Sequence, residues 1–135
     1  MRSYQVHITY NDDAMINTLI ILREILNDHE PYASLTDANL DKDIERAFQK
    51  GVECILNTQI KVGDTLTVWC QQHDRETLAP AKARAFELPS FCSQESASIV
   101  RFLMELPNPD ERVKAAKHAA MAWFEKTKIT GYRLE

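Results

Sequence analysis

Apolar residues along the chain fall into four stretches of helical spacing, separated by turn-forming residues. From Asp12 onward, Met15, Leu19, Leu22 and Leu26 recur at steps of four, three and four, the spacing of one helical face. Asn11 or Asp12 is placed to cap this helix, and Asn27-Asp28-His29-Glu30-Pro31 closes it. A second helix is predicted from about Asp37 to Gln59, with Leu40, Ile44, Ala47, Phe48, Val52, Ile55 and Leu56 on its apolar side. Gly51 within it lowers helix propensity, which points to close packing against a neighbouring helix. Ser93-Gln94-Glu95 opens a third helix with Ile99, Val100, Leu103 and Leu106 on its face. Pro107 and Pro109 end it and begin a fourth over about Asp110 to Lys126, with Val113, Ala116, Ala120, Trp123 and Phe124 inward.

Between the second and third helices, Gly63-Asp64 followed by Thr65 to Cys70 predicts a turn and a short β-branched strand. Gln71 to Phe91 then reads as a long loop, and loops of that length are usually functional or disordered. Leu78, Phe86, Leu88 and Phe91, following Trp69, favour order. Lys128 to Leu134 reads as a turn with a short extended tail. The halves also repeat: Asp41, Ile44, Ala47, Cys54, Ile55, Thr58 and Ile60 correspond, at an offset of 69, to Asp110, Val113, Ala116, Trp123, Phe124, Thr127 and Ile129. Two helical hairpins follow, the unit of an α/α toroid or of a generic four-helix arrangement.

The 135 residues, 44% hydrophobic and 27% charged, suit one soluble domain over 1–135 with a core that needs no disulfide or metal support. The longest apolar run, Leu19-Ile20-Ile21-Leu22, is far too short to span a membrane. The N-terminus, Met1 to His7, carries no apolar signal core. A net charge of −4 argues against a nucleic-acid partner. Cys54, Cys70 and Cys92 match no zinc spacing and read as buried or incidental thiols.

Candidate chemistry is sparse. Cys70 and His73, three apart, allow a thiolate and base pair, set against a buried cysteine beside a loop histidine. No two glycines lie close enough to cradle a phosphate. Asn11-Asp12-Asp13 is a helix cap, a hard-oxygen set suited to calcium, or both, with Asp13 capping and Asp12 pointing into a cleft. Arg75, Lys82 and Arg84, with Arg101 on the third helix, could converge on carboxylates or could be solvated, since Asp74, Glu76 and Glu87 cancel the loop cations. Arg112, Lys114, Lys117, His118, Lys126 and Lys128 read as a solvated outer face.

The string Thr67-Val68-Trp69-Cys70-Gln71-Gln72-His73-Asp74-Arg75-Glu76-Thr77-Leu78-Ala79-Pro80, continuing to Ser90 through Ala83-Arg84-Ala85-Phe86-Glu87-Leu88-Pro89, resembles the signature of family 10 polysaccharide lyases, the pectate lyases. Ile8 to Met15, Glu95 to Met104, and Trp123 to Lys126 with Ile129-Thr130-Gly131 resemble the family in the same order. The resemblance implies a partial α/α toroid, extracellular action on polygalacturonate or pectin oligosaccharide in the plant cell wall, and calcium engaging the uronate carboxylate. It implies that Asp12 lies near calcium, that Arg84 pairs with uronate carboxylates, and that Arg101 is a basic substrate contact. Arg75 and Trp69 belong to the same motif as cleft wall or its support.

Family members also carry an upstream Ile-Asp-Asn-Gly motif and a downstream Ser-Gly-Arg motif supplying the catalytic arginine, and neither occurs in this sequence. The chain resembles the middle and later part of the catalytic domain. A non-catalytic pectate-binding module is therefore the leading expectation. An active calcium-dependent lyase, assembled with a missing segment or using Arg84 or Arg75 as base, is the alternative, and a structural remnant the third. Surfaces left open by a partial toroid favour self-association.

Overall fold

A computed structural model describes residues 4–27, 30–32 and 37–132. Met1 to Ser3 and Arg133 to Leu134, parts of the expected N-terminus and tail, and Asp28-His29 of the expected stop after the first helix lie outside the described residues. The fold is all-α in its frame, with four helices: α1 (Ala14–Leu26), α2 (Ala38–Thr58), α3 (Ser93–Met104) and α4 (Glu111–Thr127). The two predicted hairpins form, α1 packing on α2 and α3 on α4, as in a partial α/α toroid.

The helix ends follow from their capping chemistry. The Asp37 carboxylate accepts the backbone N–H groups of Asn39 and Leu40 (2.9 and 3.0 Å), and that of Asp110 accepts Val113 N–H (2.8 Å), each relieving the orphan donors of a first turn. The internal repeat extends to the C-termini. Thr58 Oγ1 donates to Cys54 O and Thr127 Oγ1 to Trp123 O, both at 2.8 Å, and the next residues, Gln59 and Lys128, leave the helix with matching backbone angles.

Tyr10, Ile16, Leu19, Ile55, Val68, Trp69, Ile99, Phe102, Leu103, Val113, Ala116 and Ala120 form a single core. Gly51 lets α1 and α2 close: a Cβ there would overlap the Leu19 Cδ2 methyl and stand 3.2 and 3.3 Å from Leu19 Cγ and Cδ1. Leu40, expected inward, is exposed near the start of α2.

Extended structure differs from the expectation. A short hairpin pairs β2 (Lys61–Val62) with β3 (Thr65–Leu66) around Gly63, whose φ of +60° suits glycine. The predicted strand over Thr65 to Cys70 is cut short, because Thr67 to Cys70 leaves the hairpin and runs through the core. The expected loop also holds a strand, β4 (Gln72–His73), antiparallel to β1 (Ile8–Thr9), with Ile8 opposite His73 and Thr9 opposite Gln72.

Gly51→Ala should destabilise the protein by about 1–3 kcal/mol, because Leu19 is buried and cannot yield, against about 1 kcal/mol gained in helix propensity. Urea unfolding checks this; a variant as stable as wild type would show that the two helices have slack at this crossing.

Candidate functional site

Three segments distant in sequence meet in a cavity of about 330 Å³ beside β1: its lining includes Asn11, Asp12, Gln72, Arg84 and Glu87. The approach from the N-terminal side is set by a short 3-10 turn, Asn11–Asp13, in which Asp12 and Asp13 both take left-handed φ (54° and 57°). Asp is among the residues that tolerate this region. Asp13 occupies the N-cap position of α1, and its side chain makes no capping bond. The expected cap at Asn11 or Asp12 is thus replaced by a backbone turn, Asp13 N–H donating to Tyr10 O at 3.0 Å, and Asp12 lines the cavity.

The opposite wall comes from the loop between β4 and α3. Arg84 donates through Nε (2.7 Å) and Nη2 to Glu87 Oε1, and its backbone N–H donates to Glu87 Oε2 (3.0 Å). Asn11 ties the two walls together, its Nδ2 donating to Glu87 Oε1 (3.2 Å) and to Asp12 Oδ2 (3.3 Å). Behind them Gln71 Nε2 donates to Asn11 Oδ1 (3.4 Å) and Glu95 Oε1 (3.1 Å). The ion pair shifts both partners: the Arg84 bond holds the Glu87 carboxyl below its usual range, and Glu87 pushes the Arg84 guanidinium higher still. Arg84 therefore stays cationic. Its Nη1 edge is not used by Glu87 and is available to an anion.

Asp12 and Arg84 are thus brought together; the other expected site residues are not. Trp69 is wholly buried and its indole N–H donates to Ile55 O at 2.8 Å, so of the two places its motif allows, cleft wall or its support, it lies inside as support and not at the cavity surface. Arg75 is exposed on the turn after β4, and Arg101 is exposed on α3; neither lines the cavity. Of Arg75, Lys82, Arg84 and Arg101, Arg84 alone lines the cavity. Arg112, read as part of a solvated face, bonds both Glu53 oxygens (2.8 and 2.9 Å) and Asn57 Oδ1 (2.9 Å) on α2.

Cys70 and His73 form no nucleophile and base pair. His73 Nε2 accepts the Cys70 backbone N–H (3.0 Å), which leaves Nδ1 carrying the hydrogen that it donates to Leu78 O (2.9 Å). Both ring nitrogens are committed, and the Cys70 thiol instead meets Ser90 N–H (3.5 Å) and Leu88 O (4.0 Å). Sequence reasoning missed Glu87 and Gln72 as lining residues. Glu87 had a signal in its spacing of three from Arg84; for Gln72 no local signal exists, since its place depends on pairing with Thr9.

Among the described residues no cluster of three metal-ligating side chains forms, and no helix is long and apolar enough to cross a membrane. A second, apolar groove of about 610 Å³ lies between the β2–β3 hairpin and α4, where Val62, Leu66, Phe91 and Trp123 face it.

Comparison with known proteins gives concordant findings. The pectic acid lyase family model matches residues 1–135. A family 10 polysaccharide lyase from Cellvibrio cellulosa superposes with a TM-score of 0.86 at 35% identity, covering 93% of this chain and 39% of that one. An aspartate-to-alanine mutant of the Cellvibrio cellulosa lyase, in complex with trigalacturonic acid, superposes with a TM-score of 0.85 at 35% identity over the same shares. The chain therefore spans well under half the length of these solved chains. No curated protein matches the sequence.

Burial lowers the His73 pKa, outweighing the opposite pull of the Leu78 bond. The folded protein then binds fewer protons than the unfolded chain once pH falls below the ordinary histidine value of about 6.5, so His73 makes stability decline from there down to its lower folded pKa. Wild type should lose stability in urea between about pH 7.5 and 5.5, and His73→Gln should flatten that slope. An equal slope in the variant would assign the titration to another group.

Proposed function

Because this chain belongs to the pectic acid lyase family over residues 1–135, we propose that the cavity holding Asp12 and Arg84 engages polygalacturonate, and that these residues bind the polymer without cleaving it. One observation carries this reading: a carboxylate and a guanidinium 72 positions apart in sequence line one cavity, with the guanidinium held in place and one edge left for an incoming carboxylate. Binding a uronate there would add a charge-assisted pair to Arg84, whose fork geometry matches carboxylate. Glu87 favours this role and opposes the other, since an arginine held protonated by an adjacent carboxylate is a poor proton acceptor.

Calcium fits as an ion shared with the substrate. Asp12 offers a hard carboxylate ligand, and the uronate and water would supply the rest of a shell of about six to eight oxygens. An extracellular setting, where pectin is met, goes with this reading. Self-association would use the apolar groove beside Trp123 and Phe91.

The second reading is calcium-dependent β-elimination with Arg84 as base, alone or with further family segments. It is favoured by the same co-location, which would set a base and a metal-bound carboxylate on one sugar. It requires substrate to draw Glu87 away from Arg84.

Isothermal titration with trigalacturonate, in calcium and again in chelator, separates the two. Saturable, calcium-dependent heat without turnover is expected. Asp12→Ala should abolish the calcium response, and Arg84→Ala should weaken binding by about 1.5–3 kcal/mol, the worth of a hydrogen bond to a charged group. Sustained heat with ultraviolet absorbance from an unsaturated product would establish the lyase reading, and wild-type affinity in Arg84→Ala would remove that residue from the site.

A further inference from the structure

A further polar side chain lines the same cavity, and one of its atoms has no bond among the described residues. Gln72 sits on β4 between Gln71, whose amide is committed to Asn11 and Glu95, and His73, whose ring is committed on both sides. Its backbone is committed too: it pairs with Thr9 and its carbonyl accepts Ala81 N–H at 3.0 Å. The residue is 4% exposed, and its Oε1 has no hydrogen-bond partner among the described residues. Buried amides are almost always paired, because leaving one unpaired forfeits its hydration with nothing in exchange. Gln72 is at the same time one of the residues lining the cavity, which places its unpaired amide next to the space a ligand would fill.

We propose that Gln72 is a substrate contact that reads a ring hydroxyl of the galacturonate whose carboxylate lies between Asp12 and Arg84. The inference rests on the polygalacturonate reading of this cavity and adds a specificity residue to it. Charge selects the hydroxyl over a second carboxylate. Asp12 and Glu87 line the cavity beside Gln72, and another anion would be repelled, whereas a neutral hydroxyl both donates and accepts, as an amide does. The terminal amide torsion is soft, so either edge of Gln72 can turn to meet it. At about 330 Å³ the cavity is at the small end of ligand pockets, which keeps carboxylate and hydroxyl contacts on the same ring or its immediate neighbour.

An orphaned amide retained for a ligand makes stability and affinity move in opposite directions when it is replaced. Gln72→Leu should leave the urea midpoint unchanged or higher while lowering trigalacturonate affinity, measured by calorimetry in calcium, about tenfold. Gln72→Glu, nearly identical in shape, should lose more affinity by adding a third carboxylate, and it supplies the test if the leucine variant does not fold. Wild-type affinity in a folded variant would overturn the inference while leaving the polygalacturonate reading standing. A fall in stability with unchanged affinity would show that Gln72 is structural. Failure of wild type itself to bind would overturn the polygalacturonate reading and, with it, the ligand named for Gln72.

Discussion

The structure depends on one buried, irregular run of backbone, Thr67 to His73, whose polar groups are bonded from all sides. Thr67 N–H and Val68 O pair with Ile60, and Gln59 Nε2 donates to Thr67 O. Trp69 N–H donates to Ser96 Oγ and Trp69 O accepts Cys92 N–H, which fixes the start of α3. Cys70 N–H meets His73, and Gln71 O accepts both Tyr10 and Asn11 N–H groups, which fixes the approach to α1. Each such group left unpaired in the core would cost about 1–3 kcal/mol, so these bonds are what makes the buried run tolerable. It gathers the end of α2, the start of α3 and the N-terminal segment around one strand of chain.

The candidate site is a consequence of that gathering. Tyr10 is buried, and because Thr58 Oγ1 gives its hydrogen to Cys54 O, the Tyr10 hydroxyl donates to Thr58 (2.6 Å). With Tyr10 pinned and Gln71 O holding the next amide, Asn11 and Asp12 are delivered to the mouth of the β1–β4 pair. The same β4 strand launches the turn in which Asp74 Oδ1 accepts Glu76 and Thr77 N–H, and beyond it the loop returns with Arg84 and Glu87. The cavity is thus assembled by backbone bonds well before any charged side chain is considered, and the Arg84–Glu87 pair completes one wall. Being largely exposed, Arg84 is oriented by this pair more than the fold is stabilised by it.

Four helices and the tight crossing at Gly51 were legible because each is written in local spacing and residue type, whereas the cap expected at Asn11 or Asp12 gave way to a backbone turn. The hairpin repeat was legible too, down to Thr58 and Thr127. Trp69 was left between cleft wall and its support because a motif tryptophan reads as either, and the bond from its indole N–H to the Ile55 carbonyl near the end of α2 decides for support. Strand β4 is two residues long and exists through pairing with β1, a contact across more than 60 positions that periodicity cannot register. Gln72 escaped for the same reason, whereas Asp12 and Arg84 came from family resemblance and the fold then put them in one place.

The central claim is that Asp12 and Arg84 act on the same sugar. A double-mutant cycle tests it most directly: trigalacturonate affinity in calcium for wild type, Asp12→Ala, Arg84→Ala and the double variant. Two side chains gripping one uronate should be coupled by about 0.5–3 kcal/mol, so that the second substitution costs far less once the first is made. Strictly additive losses would contradict the account by showing that the two residues serve separate contacts.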